Sequence, residues 1–160
     1  MIKRPQIDKI IIVDFGSQVT KLIARRVREN KVFSEILTIE DFRKKKLFTN
    51  VKGIILSGGP STVTKKSFPQ ISKEIFDFNI PILGICYGLQ LIVKHFKGKI
   101  KSNIKKREFG RALLYKSKNS LLTEGFFKKG KCNVWMSHQD SVYKLPKNFS
   151  KIASTKDSKM

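Results

Sequence analysis

The stretch that decides the fold is Ile80-Pro81-Ile82-Leu83-Gly84-Ile85-Cys86-Tyr87-Gly88-Leu89-Gln90-Leu91-Ile92-Val93-Lys94-His95-Phe96. Its first six residues are a short apolar run of the kind a parallel sheet buries on both faces. From Tyr87 the apolar positions are dense enough for a helix against that sheet. Between the two lies Gly84-Ile85-Cys86-Tyr87-Gly88, a thiol version of the Gly-x-Ser-x-Gly turn that passes a strand directly into a helix and lifts its central side chain above the sheet. Glycines two residues on either side give the room that such a crossing needs. At a helix N-terminus the backbone dipole favours a thiolate, so Cys86 is expected to be nucleophilic near neutral pH.

The same alternation extends toward the N-terminus. Lys9-Ile10-Ile11-Ile12-Val13-Asp14 reads as a first strand, broken by Phe15-Gly16. Ser17 is placed to cap a helix reaching Glu29, with Val19, Leu22, Ile23 and Val27 as its apolar side. Phe33 to Ile39 is a second strand, Glu40 to Leu47 a short helix or turn, and Gly53-Ile54-Ile55-Leu56-Ser57 a third strand ended by Gly58-Gly59-Pro60. Ile71, Ile75, Phe76 and Phe78 predict a helix after Pro69. Strand–helix alternation of this kind indicates an α/β doubly wound, mostly parallel sheet flanked by helices, with its site beyond the carboxyl ends of the strands. The chemically distinctive loops fall there: Asp14-Phe15-Gly16, Ser57-Gly58-Gly59-Pro60 and Cys86-Tyr87-Gly88. Beyond Gly98 the character changes. Lys99 to Lys116 alternates and predicts antiparallel strands at a sheet edge, with Asn133 to Met136 and Phe149 to Ser154 as further strands and a turn at Leu145-Pro146.

Composition sets the outer limits. With 160 residues and 18.4 kDa the chain is one domain's worth, preceded by a short extension over residues 1–8. No apolar run is long enough to span a membrane, and no signal peptide is evident, so a cytoplasmic setting is expected. Two cysteines make no disulfide scaffold, and two Cys with two His at scattered positions lack metal-site spacing, so no metal is expected. The net charge of +22 invites a nucleic-acid partner. However, 27 of the 34 basic residues are Lys and 7 are Arg, Ile occurs 19 times and Ala 3 times. That is the pattern of AT-rich codons. The charge is scattered, with short clusters at Lys44 to Lys46, Lys105 to Arg107 and Lys128-Lys129, and no groove-binding motif accompanies it. Neither a membrane nor a nucleic acid is therefore expected as a partner.

Ser57-Gly58-Gly59-Pro60 exposes consecutive backbone N–H groups, and the N–H of Tyr87 follows the nucleophile. Together these suit a developing oxyanion, which points to acyl transfer through a thioester. Ser-Gly-Gly-Pro followed by Pro-Ile-Leu-Gly-Ile-Cys-Tyr-Gly-Leu-Gln resembles the class I (triad) glutamine amidotransferases. Ile12 to Gln18, Leu22 to Glu29, Arg107-Glu108-Phe109-Gly110 and Val134-Trp135-Met136-Ser137-His138-Gln139-Asp140 narrow the resemblance to the amidotransferase domain of the GMP synthetase family, from about Lys9 onward.

The resemblance implies a flavodoxin-like architecture and a set of roles. Cys86 would attack the side-chain amide of L-glutamine. Gly59 and Tyr87 would supply oxyanion-hole N–H groups. Gly58, Gln90, Ser137 and His138 would bind substrate, the last three at its α-amino and α-carboxylate groups. Ammonia would pass to an ATP-pyrophosphatase synthetase domain or subunit that aminates XMP to GMP. ATP and Mg would belong to that partner, leaving this domain without a cofactor. No Ser-Gly-Gly-Val-Asp-Ser-type nucleotide loop is present here. The resemblance also implies a departure. The family's general base and its orienting carboxylate lie in a His-Pro-Glu-type segment near the domain's C-terminal end, and the sequence reaches Met160 before it. The domain is therefore expected to be C-terminally incomplete, a fragment or the product of a decayed or frame-shifted gene, and impaired in glutaminase activity. His95 is no substitute, since nine residues of helix put it roughly 13 Å along the axis from Cys86. Gln139 stands where the family usually has glycine, which is expected to alter the loop after His138. The alternatives are the amidotransferase component of another biosynthetic enzyme, of the anthranilate or carbamoyl phosphate type, and a non-catalytic binding module.

Overall fold

A computed structural model describes residues 7–44, 49–102 and 108–158. Residues 1–6 of the predicted extension, the end of the short helix at Leu47, Lys45 and Lys46, and the whole Lys105 to Arg107 cluster lie outside those residues. The chain forms two compact units, Met1–Ile92 and Val93–Met160.

The first unit is built on β1 (Lys9–Asp14), β2 (Phe33–Thr38), β3 (Val51–Leu56) and β4 (Ile82–Gly84), all parallel, in the order β2-β1-β3-β4. That order is the flavodoxin-like one. Ile12 lies between Ile36 and Ile55, and Ile54 opposite Ile82. Ile11, Ile12 and Val13 are each fully buried, as successive residues of a strand covered on both faces must be. β4 is shorter than Ile80 to Ile85 because Pro81 has no N–H for the ladder; its carbonyl still accepts from Ile54 N at 2.9 Å.

Helix α1 (Thr20–Glu29) starts two residues later than a Ser17 cap requires. Asp14 takes over the turn. Its Oδ1 accepts from the N–H of Gly16 (2.9 Å) and Ser17 (3.2 Å) and from the Thr20 hydroxyl (2.7 Å). Ser17 Oγ accepts from Val19 N instead. The inward stripe of α1 is Thr20, Ile23, Ala24 and Val27, while Val19 and Leu22 are exposed. The predicted apolar face is thus rotated, because small Thr20 and Ala24 allow the closest approach to the sheet. Buried Ser34 ties α1 to β2: its hydroxyl donates to Ala24 O and accepts from Arg28 Nε. A short α2 (Ile39–Lys44) follows β2 and buries Phe42.

The helix predicted after Pro69 is reduced to a single 3₁₀ turn, Lys73–Asp77, with Ile75 buried. Asn79 at φ +51° stops it, and Pro81 disfavours helical backbone at the residue before it, so the helix does not continue. Helix α3 (Tyr87–His95) follows β4 after two residues.

The second unit contains two small antiparallel sheets. β5 (Lys99–Ser102) pairs with β8 (Asp140–Lys144). β6 (Glu108–Lys116) and β7 (Lys131–His138) form a long hairpin, with β9 (Ala153–Ser154) on the other side of β6. The Lys99 to Lys116 segment therefore supplies antiparallel strands as predicted, but they pair with distant partners and not with each other. β8 has no counterpart among the predicted strands, and the strand predicted over Phe149 to Ser154 is only two residues long. The alternation along β7 is strict, with Cys132, Val134, Met136 and His138 on the inner face.

Candidate functional site

Cys86 sits between β4 and α3 at φ +48°, a left-handed conformation that costs a non-glycine residue of order 1–3 kcal/mol. Three segments hold it there. Ile85 N donates to Leu56 O (2.9 Å) at the end of β3. Gly88 N donates to both Ser57 O and Ile85 O, each at 3.0 Å. Gln90 N donates to Cys86 O at 3.1 Å, the first helical bond of α3. Both flanking glycines are required by space. A methyl on Gly84 would come within 2.6 Å of Leu89 N, and one on Gly88 would overlap the Leu56 carbonyl oxygen. The sequence pattern thus has a steric origin, the close crossing of α3 over β3 and β4.

The glycine turn after β3 lies against the cysteine. A methyl on Gly58 would stand 3.5 Å from Cys86 Cβ and 3.6 Å from Ser17 Oγ, so these three residues adjoin. A methyl on Gly59 would overlap the Phe15 carbonyl oxygen. Buried Ser57 fixes the turn: its hydroxyl accepts from Phe15 N (3.1 Å) and donates to Gly58 O (2.9 Å). Tyr87 is buried, its ring edge-on to Phe15 at 5.2 Å and its hydroxyl donating to Pro69 O. Burial pushes that phenol up to about 12. The N–H groups of Gly59 and Tyr87 take no part in the backbone bonds that join the three segments.

Two observations change the expectations for this site. The Cys86 residue is exposed, yet desolvation by the surrounding protein raises the pKa of its thiol above the ordinary value, opposing the helix dipole that was expected to lower it. Gln90 Oε1 accepts from Val63 N at 3.2 Å, which ties α3 to the loop that follows the glycine turn.

The remaining predicted residues belong to the second unit. Ser137 and His138 end β7, opposite Phe109 and Glu108. Gln139 is a bend between β7 and β8 and has no positive φ, so this turn accepts a side chain without strain. His95 is the last residue of α3, its ring edge-on to Phe96. Cys132 is half-buried on β7, its thiol donating to Asn133 O. Sequence reasoning missed a cluster here. Glu108 is buried, with Oε2 3.0 Å from His138 Nε2 and Oε1 accepting from the Thr155 hydroxyl. Its signal was available: alternation along β6 places Glu108 on the same inward face as Gly110 and Ala112. Among the described residues no group of three or more His, Cys, Asp or Glu is arranged for a metal ion. An open cavity of about 500 Å³, bordered by Lys116, Ser120, Leu121 and Phe127, involves none of these residues.

The arrangement is matched among known proteins. Residues 11–160 fit the model of the family described as glutamine amidotransferase class-I. A GMP synthase [glutamine-hydrolyzing] of Prochlorococcus marinus is 46% identical over 160 residues, covering 98% of this chain. One from Helicobacter pylori is 46% identical over 153 residues, covering 93%. The chain spans about 29% of the length of these curated relatives. Among solved structures, a Thermoplasma acidophilum protein described as a GMP synthase subunit superposes with TM-score 0.79 at 28% identity, covering 96% of this chain and 76% of that one. A Thermotoga maritima glutamine amidotransferase shares the fold, with TM-score 0.74 at 18% identity over 96% of this chain and 70% of its own. The chain belongs to the class I glutamine amidotransferase family.

Proposed function

We propose that this chain is the glutamine-hydrolysing part of a GMP synthetase, working in the cytoplasm on L-glutamine. The observation that carries the reading is Cys86 at φ +48° in a Gly-x-Cys-x-Gly elbow, packed against Gly58 of the Ser-Gly-Gly-Pro turn. In the reaction, Cys86 Sγ bonds to the carboxamide carbon of glutamine, and the oxyanion that forms is met by the N–H groups of Gly59 and Tyr87. The C–N bond then breaks and ammonia leaves with the proton given up by the Cys86 thiol, giving a glutamyl thioester. Water adds to the thioester, the C–S bond breaks, and glutamate is released. Gly58, Gln90, Ser137 and His138 hold the substrate. The ammonia serves an ATP-pyrophosphatase synthetase partner that aminates XMP to GMP. ATP and magnesium act in that partner, and this part of the protein uses no cofactor.

The thiol needs a base, because desolvation holds its pKa high. Ammonia release from L-glutamine by the protein and by its Cys86→Ala variant tests the reading. Turnover is expected to be lost in Cys86→Ala; turnover that survives the substitution would refute Cys86 as the nucleophile.

A further inference from the structure

We propose that Glu108 is a positioning residue that fixes which nitrogen of His138 carries the proton, placing it on Nε2. The Glu108 side chain is only 7% exposed, and its Oε2 stands 3.0 Å from His138 Nε2, whose side chain is 21% exposed. The two oxygens of this carboxylate are not equivalent. Oε1 accepts the Thr155 hydroxyl, and Thr155 Oγ in turn accepts from Ser158 N at 2.9 Å. Oε2 is buried and has no aligned hydrogen-bond partner among the described residues. A buried carboxylate oxygen left in that state is costly, and the donor within reach is His138 Nε2. A lone pair on Nε2 would face the lone pairs of Oε2 at 3.0 Å, which is repulsive; a proton there, with a small turn of the ring, completes the bond. A carboxylate behind a histidine commonly sets its tautomer in this way.

The consequence concerns the substrate and rests on the proposed role of Ser137 and His138. A neutral His138 protonated on Nε2 offers Nδ1 as a hydrogen-bond acceptor. An acceptor suits the α-ammonium of glutamine and not its α-carboxylate. Glu108 would thereby decide which end of the zwitterion His138 reads.

The isosteric substitution Glu108→Gln gives a sharp test. Thr155 donates to the atom at the Oε1 position, so it pins the carbonyl oxygen of the new amide there and leaves the NH₂ group toward His138. Nε2 must then accept, and the proton moves to Nδ1. The measurement is imidazole ¹⁵N NMR of the 160-residue chain at about pH 8.5, well above the ordinary histidine range of ~6.5, with His95→Gln used to identify the His138 signals. The expected result is protonated Nε2 in the parent and protonated Nδ1 in Glu108→Gln. Protonated Nδ1 or an even mixture in the parent would overturn the proposal, as would an unchanged tautomer in a folded Glu108→Gln chain. If that variant does not fold, the parent spectrum alone decides. Titration with L-glutamine separates this proposal from the reading it rests on. A shift of the Nδ1 signal supports both; the expected tautomers without any shift keep the Glu108 assignment and refute His138 as a substrate ligand.

Discussion

The cysteine elbow of the first unit and the Glu108–His138 cluster of the second hold their chemistry in place by opposite means. In the elbow the constraint is the backbone. Gly84 and Gly88 have no room for a methyl, Cys86 is held at positive φ, and the loops are tied by main-chain bonds to Leu56, Ser57 and Ile85. In the second unit the constraint is a set of side chains: a buried carboxylate on β6, an imidazole on β7 and a hydroxyl just after β9. A site built from backbone should fail all at once when a methyl is added. One built from side chains should keep its fold and change its proton positions. The substitutions below test that contrast.

Gly88→Ala should have the largest effect, because its methyl meets the Leu56 carbonyl and Cβ and neither can move without disturbing β3. A loss of about 3 kcal/mol or more is expected, lowering the thermal midpoint by roughly 10 °C or preventing folding. Thermal unfolding followed by circular dichroism reads this directly; a loss below about 1 kcal/mol would show that the elbow is softer than its packing implies. Ser57→Ala comes next. It leaves Phe15 N without its acceptor in a buried turn, at a cost of about 1–3 kcal/mol measurable by urea unfolding. Thr155→Val removes the donor to Glu108 Oε1 and is expected to cost about 1–2 kcal/mol while the fold persists.

Titration provides a finer comparison. Tyr87 has a folded-state pKa of about 12, above its unfolded value of ~10. Its neutral form is favoured by folding, so its contribution is present below pH ~10 and is lost as the pH rises toward 12. Tyr87→Phe should therefore flatten the alkaline fall in stability over that window. An equally steep fall would show that other groups set it. The smallest effect belongs to the surface. Glu29 pairs with Arg25 and Arg26 at the end of α1, and this holds its carboxyl below the usual range. All three side chains are exposed, so Glu29→Ala should leave the thermal midpoint unchanged within error.

The same contrast explains what could be read from the residues alone. Lys9–Asp14 was legible as a strand because a continuous β-branched run has one good use, a sheet covered on both faces. The elbow and the Ser-Gly-Gly-Pro turn were legible because glycines at fixed spacing record a steric requirement. The cap of α1 was not, since Asp14 outcompetes Ser17 through three contacts that exist only once the turn has formed. The helix after Pro69 failed because an apolar period cannot show that Asn79 and Pro81 leave room for one turn. The partners of β5 and β6, and the Glu108 cluster, depend on pairings between residues 16 to 47 positions apart, which local periodicity does not encode.

The central claim is that Cys86 is the thiol of a glutamine site. Mass spectrometry of the purified chain treated with iodoacetamide, with and without L-glutamine, tests it most directly. Cys86 should be alkylated, at a rate still rising with pH beyond about pH 9 because its thiol is raised, and L-glutamine should slow that alkylation while leaving Cys132 unaffected. L-asparagine, one methylene shorter, should protect far less. Labelling of Cys86 that is indifferent to L-glutamine, or protection equal at Cys86 and Cys132, would contradict the account.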